Sequence, residues 1–337
     1  MRLVLGLDEA GYGPNMGPLV IAVSAWAIES DLDVFRGLAP LAPEFQAAPW
    51  SPRSHFVPLG DSKKIYQPGK GLSGLSGLSF AIRFFETILD RNSSSKRPCF
   101  ELEHLALEDI DRVESWPWYD RSYQVSQQPM EDVVFESACL SAKQKLAKLG
   151  VRLLDFRLRV LDEAYFNESV SRLGNKSDVL GQMSLNLAWQ VLRDSVCLDS
   201  FESIEVYCDR QGGRKKYAAL LAHTFESSHP QSPVPFIGAT KEAPDISTYS
   251  MDYSGTHVSI SFQVEGDSLF PPAACSMVAK WARESLMERL NRYWQSVVGK
   301  SLKPTAGYAV DAARFAKDIE PWVTKQSLEK NLWWRQR

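Results

Sequence analysis

The sequence has few cysteines and none that are closely paired. Only five of the 337 residues are cysteine, an odd number, and they are scattered along the chain as Cys99, Cys139, Cys197, Cys208 and Cys275. Because no C-x-x-C spacing occurs, neither a disulfide framework nor a structural zinc site is expected, and we predict a reducing, cytoplasmic location. The five histidines likewise show no metal-ligand spacing.

The chain also lacks a long apolar run and a strong excess of charge. Its apolar stretches are too short to cross a bilayer, and the first motif begins at residue 8, so we expect no membrane partner and no export signal. A net charge of −3 argues against a uniformly basic coat for nucleic acid but permits a local basic groove. With 44% apolar residues and no dividing linker, we expect one α/β domain over residues 1–337.

The most informative segment present is the start of the chain, where an apolar run ends in two adjacent carboxylates. Asp8 and Glu9 are followed by a turn with three glycines and two prolines, and then by a second apolar run. The pattern predicts strands over 3–8 and 17–27, joined as a hairpin. Carboxylates are rarely fully buried unless they are paired or metal-bound, so the tip of the first strand predicts a metal or acid–base site.

Hydrophobic periodicity and breaker residues predict the remaining elements. Further strands are expected at 203–209 and 256–264, and helices at 80–89, 131–149, 180–196 and 273–296. Residues 40–60 predict a long loop, and the Gly-Leu-Ser repeat over 69–79 predicts a flexible one. Residues 90–130 lack clean periodicity and belong to an insertion expected over 90–180.

The predicted strand over 203–209 also ends in a carboxylate, Asp209, and a basic glycine-rich segment follows it. Hydrolysis by two metal ions needs several carboxylates in one small volume, and Asp and Glu without His or Cys suit Mg²⁺. Taken alone, Asp209 could instead begin a turn or cap a helix.

The opening pattern Asp-Glu-Ala-Gly-x-Gly-Pro-x-x-Gly-Pro over residues 8–18 resembles the signature of type 2 ribonucleases H, the ribonuclease HII and HIII family. Further segments agree with the family in order. They are Leu-Gly-Asp-Ser-Lys-Lys at 59–64, Leu-Asn-Leu-Ala at 185–188, Tyr-Cys-Asp at 207–209, Gly-Asp at 266–267 with the helical pattern at 273–284, and Gly-Tyr-Ala-Val at 307–310.

The resemblance implies a ribonuclease H-like fold, which is a mixed sheet flanked by helices. It also implies that Asp8, Glu9, Asp209 and Glu284 form a four-carboxylate site for Mg²⁺ or Mn²⁺. Glu284 stands where ribonuclease HII has Asp, and is closer to the Glu of the ribonuclease HIII branch. From spacing alone, Glu284 could instead pair with Lys280 at i,i+4 on a solvated face.

The resemblance further implies substrate-binding roles for Gly11, Tyr12, Gly13, Ser62, Lys63 and Tyr308. The family's turn approaches the sugar and reads the 2′-hydroxyl, and it carries Arg or Lys where this chain has Tyr12. A second cation is missing at Glu265. A basic rim of Lys63, Lys64, Arg214, Lys215 and Lys216 could contact phosphates or be ordinary surface. The tryptophans Trp322, Trp333 and Trp334 are expected to pack.

These features predict a metal-dependent endoribonuclease that hydrolyses the RNA strand of RNA–DNA hybrids and leaves a 3′-hydroxyl and a 5′-phosphate. The alternative is a ribonuclease H-fold protein that binds nucleic acid or a partner and has lost or redirected catalysis. A long hybrid and a single embedded ribonucleotide both remain open as substrates. The oligomeric state also stays open, with a monomer expected.

Overall fold

The computed structural model describes residues 1–29, 44–51, 54–89, 107–124, 133–195, 198–211 and 213–336. The strands are β1 (Arg2–Ala10), β2 (Leu19–Ile28), β3 (Phe45–Gln46), β4 (Val57–Pro58), β5 (Val151–Leu161), β6 (Ser203–Asp209), β7 (Gly238–Glu242), β8 (Ile246–Tyr253) and β9 (Thr256–Gln263). The helices are α1 (Ser62–Ile65), α2 (Ser76–Ile88), α3 (Leu107–Glu114), α4 (Val133–Lys148), α5 (Glu163–Leu173), α6 (Lys176–Ser195), α7 (Ala218–Ser228), α8 (Phe270–Val298) and α9 (Ala309–Lys325).

Seven strands form one mixed sheet in the order β5-β2-β1-β6-β9-β8-β7, with β1 near its centre. β1, β6 and β9 run parallel, whereas β2, β5, β7 and β8 each pair antiparallel with their neighbours. The short strands β3 and β4 form a separate parallel pair. Because β1 and β6 are parallel and in register from Arg2 opposite Ser203 to Leu7 opposite Cys208, their carboxyl ends meet at one edge.

Helices cover both faces of this sheet. One apolar core includes residues of α2, α4, α8 and α9, and the other includes residues of α6 and α7. β1 and β2 contribute to both cores, which is why they are continuous apolar runs rather than alternating ones. The predicted class, a mixed α/β sheet flanked by helices, is confirmed, as are the opening hairpin and the four long helical segments.

The start of α8 lies against β1 at Gly6. A Cβ on Gly6 would stand 2.2 Å from the carbonyl carbon of Pro271, so only glycine allows this approach. The Cys275 thiol donates to the Gly6 carbonyl oxygen at 3.1 Å, and the Ser24 hydroxyl of β2 donates to the Pro271 carbonyl oxygen at 3.3 Å. These contacts fix α8 over the strand that carries Asp8.

The prediction of a flexible loop over 69–79 was wrong. Residues Gly71–Leu75 form a 3-10 helix and Ser76 begins α2. Leu75, the last residue of the 3-10 helix, and Leu78, in the first turn of α2, are both buried. The repeat segment from Gly71 onward is therefore helical rather than a loop.

The expected insertion over 90–180 contains one strand of the main sheet, because β5 pairs along its whole length with β2. The boundaries of that insertion stay a prediction, and residues 90–106 and 125–132 lie outside the described residues. The described cysteines, Cys139, Cys208 and Cys275, are free and buried. Within the described ranges, no helix is long and apolar enough to cross a membrane.

Candidate active site

Three of the four predicted carboxylates lie together where β1 and β6 end. Leu7 is opposite Cys208 in the parallel ladder, so Asp8 and Asp209 follow as neighbours on the face covered by α8. Glu9 is the next residue of β1 and points to the other face by strand alternation. The three side chains therefore surround the end of two adjacent strands.

Asp8 is held by two hydrogen bonds. The backbone N–H of Glu9 donates to Asp8 Oδ1 at 2.8 Å, and the Ser276 side chain of α8 bonds to the same carboxylate. Burial and the neighbouring charges of Glu9 and Asp209 nevertheless raise the pKa of Asp8 well above its usual range. Burial is the largest cause, and the two hydrogen bonds oppose it only in part.

Glu9 and Asp209 interact electrostatically across the strand ends. Burial, followed by repulsion from Asp209, raises the pKa of Glu9 from 4.5 to about 7. Asp209 itself accepts a hydrogen bond at 3.0 Å from the backbone N–H of Gly266. A Cβ at Gly266 would stand 2.8 Å from the Asp209 Cα, so glycine is needed for this contact. Asp8 and Glu9 are therefore buried close to other carboxylates, where ionisation of either side chain is unfavourable.

Glu284 lies on α8 and, among the described residues, makes no hydrogen bond or ion pair with Asp8, Glu9 or Asp209. Its carboxylate accepts from the Tyr66 hydroxyl at 3.2 Å and pairs with Lys280 at 3.1 Å and Arg283 at 2.8 Å. The pair with Lys280 forms as the alternative had it, but the Glu284 side chain is only 13% exposed.

The described residues contain no group of three Asp, Glu, His or Cys side chains already arranged to hold a metal ion. The chemistry of the donors still fits a hard divalent cation, because Asp8, Glu9 and Asp209 offer only oxygen and repel one another. A cation would remove the repulsion that raises the pKa values of Asp8 and Glu9. The ligand roles of all four carboxylates, including Glu284, stay a prediction.

The glycine turn after β1 lies beside α8. A Cβ at Gly11 would stand 2.6 Å from Nε of Arg283, and a Cβ at Gly17 would stand 2.1 Å from Sδ of Met287. Both glycines also have φ near +90°, at +88° and +87°, where other residues are strained. Gly13 has open space where a side chain would be and lies at the surface.

Tyr12 lies in the glycine turn, and a lysine from another element lies next to it. Lys176, the first residue of α6, places its ammonium 4.8 Å from the centre of the Tyr12 ring. The Tyr12 hydroxyl bonds to Ser177, and its pKa is raised, first by burial and then by the charge of Glu9. Among the described residues, Lys176 has no carboxylate partner, so its charge is available beside the acidic group.

Ser62 and Lys63 approach the site from α1. The Ser62 hydroxyl lies 3.1 Å from that of Ser276, which itself holds Asp8. Lys63 is exposed, and its charge lowers the pKa of Asp267, although burial raises that pKa overall. Asp267 also feels Asp209, so Lys63 lies on the Asp209 side of the carboxylates.

Tyr308 lies near Arg283 and Tyr66. It is 52% exposed, and the Arg283 guanidinium stands 5.8 Å from the centre of its ring.

Of the proposed basic rim, Arg214 is ion-paired with Asp178, whereas Lys64, Lys215 and Lys216 are exposed. Trp322, Trp333 and Trp334 pack with the core under α9, as predicted.

Sequence inspection missed several side chains near these residues: Tyr66, Lys176, Ser276, Arg283 and Arg335, whose guanidinium donates to the carbonyl oxygens of Gly11 and Tyr12. Ser276 and Arg283 stand inside the helical pattern over 273–284 that resembles the family, so that match could have indicated them. Lys176 and Arg335 have no local signal, because they reach the turn from distant parts of the chain.

Comparison with known proteins gives similarity in structure only. No protein-family model matches the chain, and no curated protein matches it. The ribonuclease H2 of Pyrococcus horikoshii OT3 is 15% identical with a TM-score of 0.40, over 98% of this chain and 92% of that one. Ribonuclease HII of Archaeoglobus fulgidus, solved with PCNA, is 15% identical with a TM-score of 0.37, over 99% and 94%. Bst ribonuclease HIII, solved with Mn²⁺, is 12% identical with a TM-score of 0.39, over 99% of this chain and 66% of that one. The chain is similar in backbone to these structures at 12–15% identity.

Proposed function

We propose that this protein is a divalent-metal-dependent endoribonuclease that hydrolyses the RNA strand of RNA–DNA hybrids. One observation carries the proposal: Asp8, Glu9 and Asp209 lie at the ends of two parallel strands, where burial and then their mutual repulsion raise the pKa values of Asp8 and Glu9. Retaining such an arrangement costs stability, as expected of a site kept for chemistry.

Asp8, Glu9 and Asp209 would hold the metal ions, with Glu284 as the fourth ligand. Bound Mg²⁺ or Mn²⁺ supplies a water of lowered pKa and neutralises charge on the leaving oxygen. Ser276 and the Gly266 N–H orient Asp8 and Asp209. A metal ion at Glu284 would have to compete with Lys280 and Arg283, which now pair with its carboxylate.

The chain's other residues would bind and orient the hybrid. The Gly11–Gly13 turn presents backbone close to the strand ends, where a ribose can be contacted through its 2′-hydroxyl. Lys176 beside Tyr12 and Lys63 beside Asp267 place positive charge on two sides of the carboxylates, as binding of a phosphate backbone requires. The Tyr308 ring offers an exposed surface for stacking against the sugar.

Substitution of one carboxylate tests the proposal. Asp8→Asn removes a charged ligand at constant size, so we expect cleavage of a labelled RNA–DNA hybrid with Mg²⁺ or Mn²⁺ to fall at least about a hundredfold. Asp318→Asn is the matched control, because Asp318 only pairs with Arg314 on the surface of α9. Unchanged cleavage by the Asp8 variant would exclude the assignment. A DNA duplex with a single ribonucleotide, assayed in parallel, identifies the preferred substrate.

The arrangement of Glu284 favours a second candidate, a nucleic-acid-binding protein with lost or redirected catalysis. Lys280, Arg283 and Tyr66 already satisfy this carboxylate, so it can be a structural group. Calorimetric titration with Mn²⁺ separates the two candidates. A metal-dependent enzyme binds Mn²⁺ and loses that binding on Asp8→Asn. The second candidate allows no Mn²⁺ binding and still binds the hybrid.

A further inference from the structure

The buried guanidinium of Arg335 lies behind the glycine turn. It is 1% exposed and stands 4.0 Å from the centre of the Phe166 ring. It donates to the carbonyl oxygens of Gly11 and Tyr12, the latter at 3.1 Å, and lies 3.5 Å from that of Gly17. One side chain from far along the chain therefore holds three carbonyl groups of this turn.

An opposite charge holds the same turn from another side. Glu163, fully buried at the start of α5, accepts from the backbone N–H of Gly17 at 2.8 Å, and the Tyr119 hydroxyl donates to it. Backbone bonds complete the attachment: Asn15 N–H donates to Gly307 O at 2.8 Å, and Arg335 N–H donates to Asn15 O at 2.7 Å. The conformation of the turn is thus imposed by distant segments rather than by its own flexible glycines.

The contacts of Arg335 determine where two backbone N–H groups point. In a trans peptide the C=O and N–H point in opposite directions. With Gly11 O and Tyr12 O directed at Arg335, the N–H groups of Tyr12 and Gly13 are directed away from it. Across the part of the chain that the structure describes, neither N–H donates to a protein acceptor. They are two aligned donors next to Glu9, suited to an oxygen of a sugar or phosphate.

We propose that Arg335 is a positioning residue for substrate choice, because it directs the Tyr12 and Gly13 N–H groups toward the ribose of the RNA strand. This inference rests on the proposed function. Lysine cannot reproduce it, since a single ammonium lacks the planar set of donors that reaches several carbonyl oxygens.

The test compares Arg335→Lys with the wild-type full chain and with Arg193→Lys. Arg193 is the matched control, because it is a surface arginine of α6 that also donates to a carbonyl oxygen, that of Ser228. Hydrogen–deuterium exchange of the metal-free protein covers the hydrogen-bonded N–H groups of Asn15, Met16 and Gly17. We expect exchange about tenfold faster in Arg335→Lys and unchanged in Arg193→Lys.

Kinetics and binding then separate positioning from a purely structural role. For Arg335→Lys we expect KM for the hybrid to rise about tenfold with kcat changed less than about threefold, and the preference for hybrid over DNA duplex to fall by a similar factor. If Arg335→Lys does not fold, Phe166→Leu, which removes the ring under the guanidinium, takes its place.

Three outcomes overturn the inference. Unchanged exchange means that Arg335 does not hold the turn. Faster exchange with an unchanged hybrid preference means that its role is structural. A wild-type protein with no preference for the hybrid refutes the proposed function and this inference with it, whereas a wild-type preference that survives in the variant refutes this inference alone.

Discussion

The raised pKa of Glu9 predicts how the metal-free protein responds to pH. Folding moves this pKa from 4.5 to about 7, so the folded state keeps the proton to higher pH than the unfolded chain. Stability from this group is therefore fully present below about pH 4.5 and is lost as pH rises to about 7. The pKa difference corresponds to about 3 kcal/mol of unfolding free energy.

Replacing Glu9 by glutamine isolates this contribution. Glu9→Gln cannot ionise, so in EDTA its unfolding free energy should exceed that of the wild type by about 3 kcal/mol at pH 8 and be nearly equal at pH 4.5. Urea denaturation at the two pH values measures the difference. Added Mn²⁺ should stabilise the wild type at pH 8 and have less effect on the variant, because the cation removes the same repulsion.

One result would contradict this prediction. If the wild type and Glu9→Gln show the same change in unfolding free energy between pH 4.5 and pH 8, then neither burial nor Asp209 opposes the ionisation of Glu9. Glu288→Gln, a surface carboxylate of α8 paired with Arg292, serves as the control and should give no pH-dependent difference.

Three further predictions follow from other contacts. Asp209→Asn removes the charge next to Glu9, so the Glu9 pKa should fall in an NMR titration. Hybrid cleavage should drop at least about a hundredfold. An unchanged Glu9 pKa would contradict this prediction. Gly17→Ala should lower the unfolding free energy by about 1–3 kcal/mol more than Gly174→Ala, measured by urea denaturation, because both have φ near +90° but only Gly17 faces a close atom, Sδ of Met287. Lys176→Ala should weaken hybrid binding in EDTA and reduce the slope of log affinity against log salt by about one. Substitution of the exposed Lys148 by alanine should change neither quantity. Equal slopes for the wild type and Lys176→Ala would exclude a phosphate contact by Lys176.

The site was predictable from sequence where its chemistry is local. Asp8, Glu9 and Asp209 each follow an apolar strand, and parallel neighbours bring their ends together, so their convergence needed only the correct strand pairing. The glycines at 11 and 17 were likewise visible, and the structure gives their reason as positive φ and close packing with α8.

The remaining parts depend on contacts that no local pattern encodes. Glu284 lies in the predicted helix, but its hydrogen bond with Tyr66 depends on how α8 passes the end of α1. Arg335 meets Gly11 across 324 residues of chain. The composition of the Gly-Leu-Ser repeat predicts a loop, whereas its residues form a 3-10 helix and the start of α2.

The central position of β1 has a consequence for how the protein is made. β1 can pair with β2 as soon as both are synthesised, but its other neighbour, β6, begins about 200 residues later at Ser203. At about 5–20 residues per second, a ribosome needs about 10–40 s to supply it. During that interval the β6-facing edge of β1 lacks its partner strand, and an unpaired strand edge is a template for pairing with another chain.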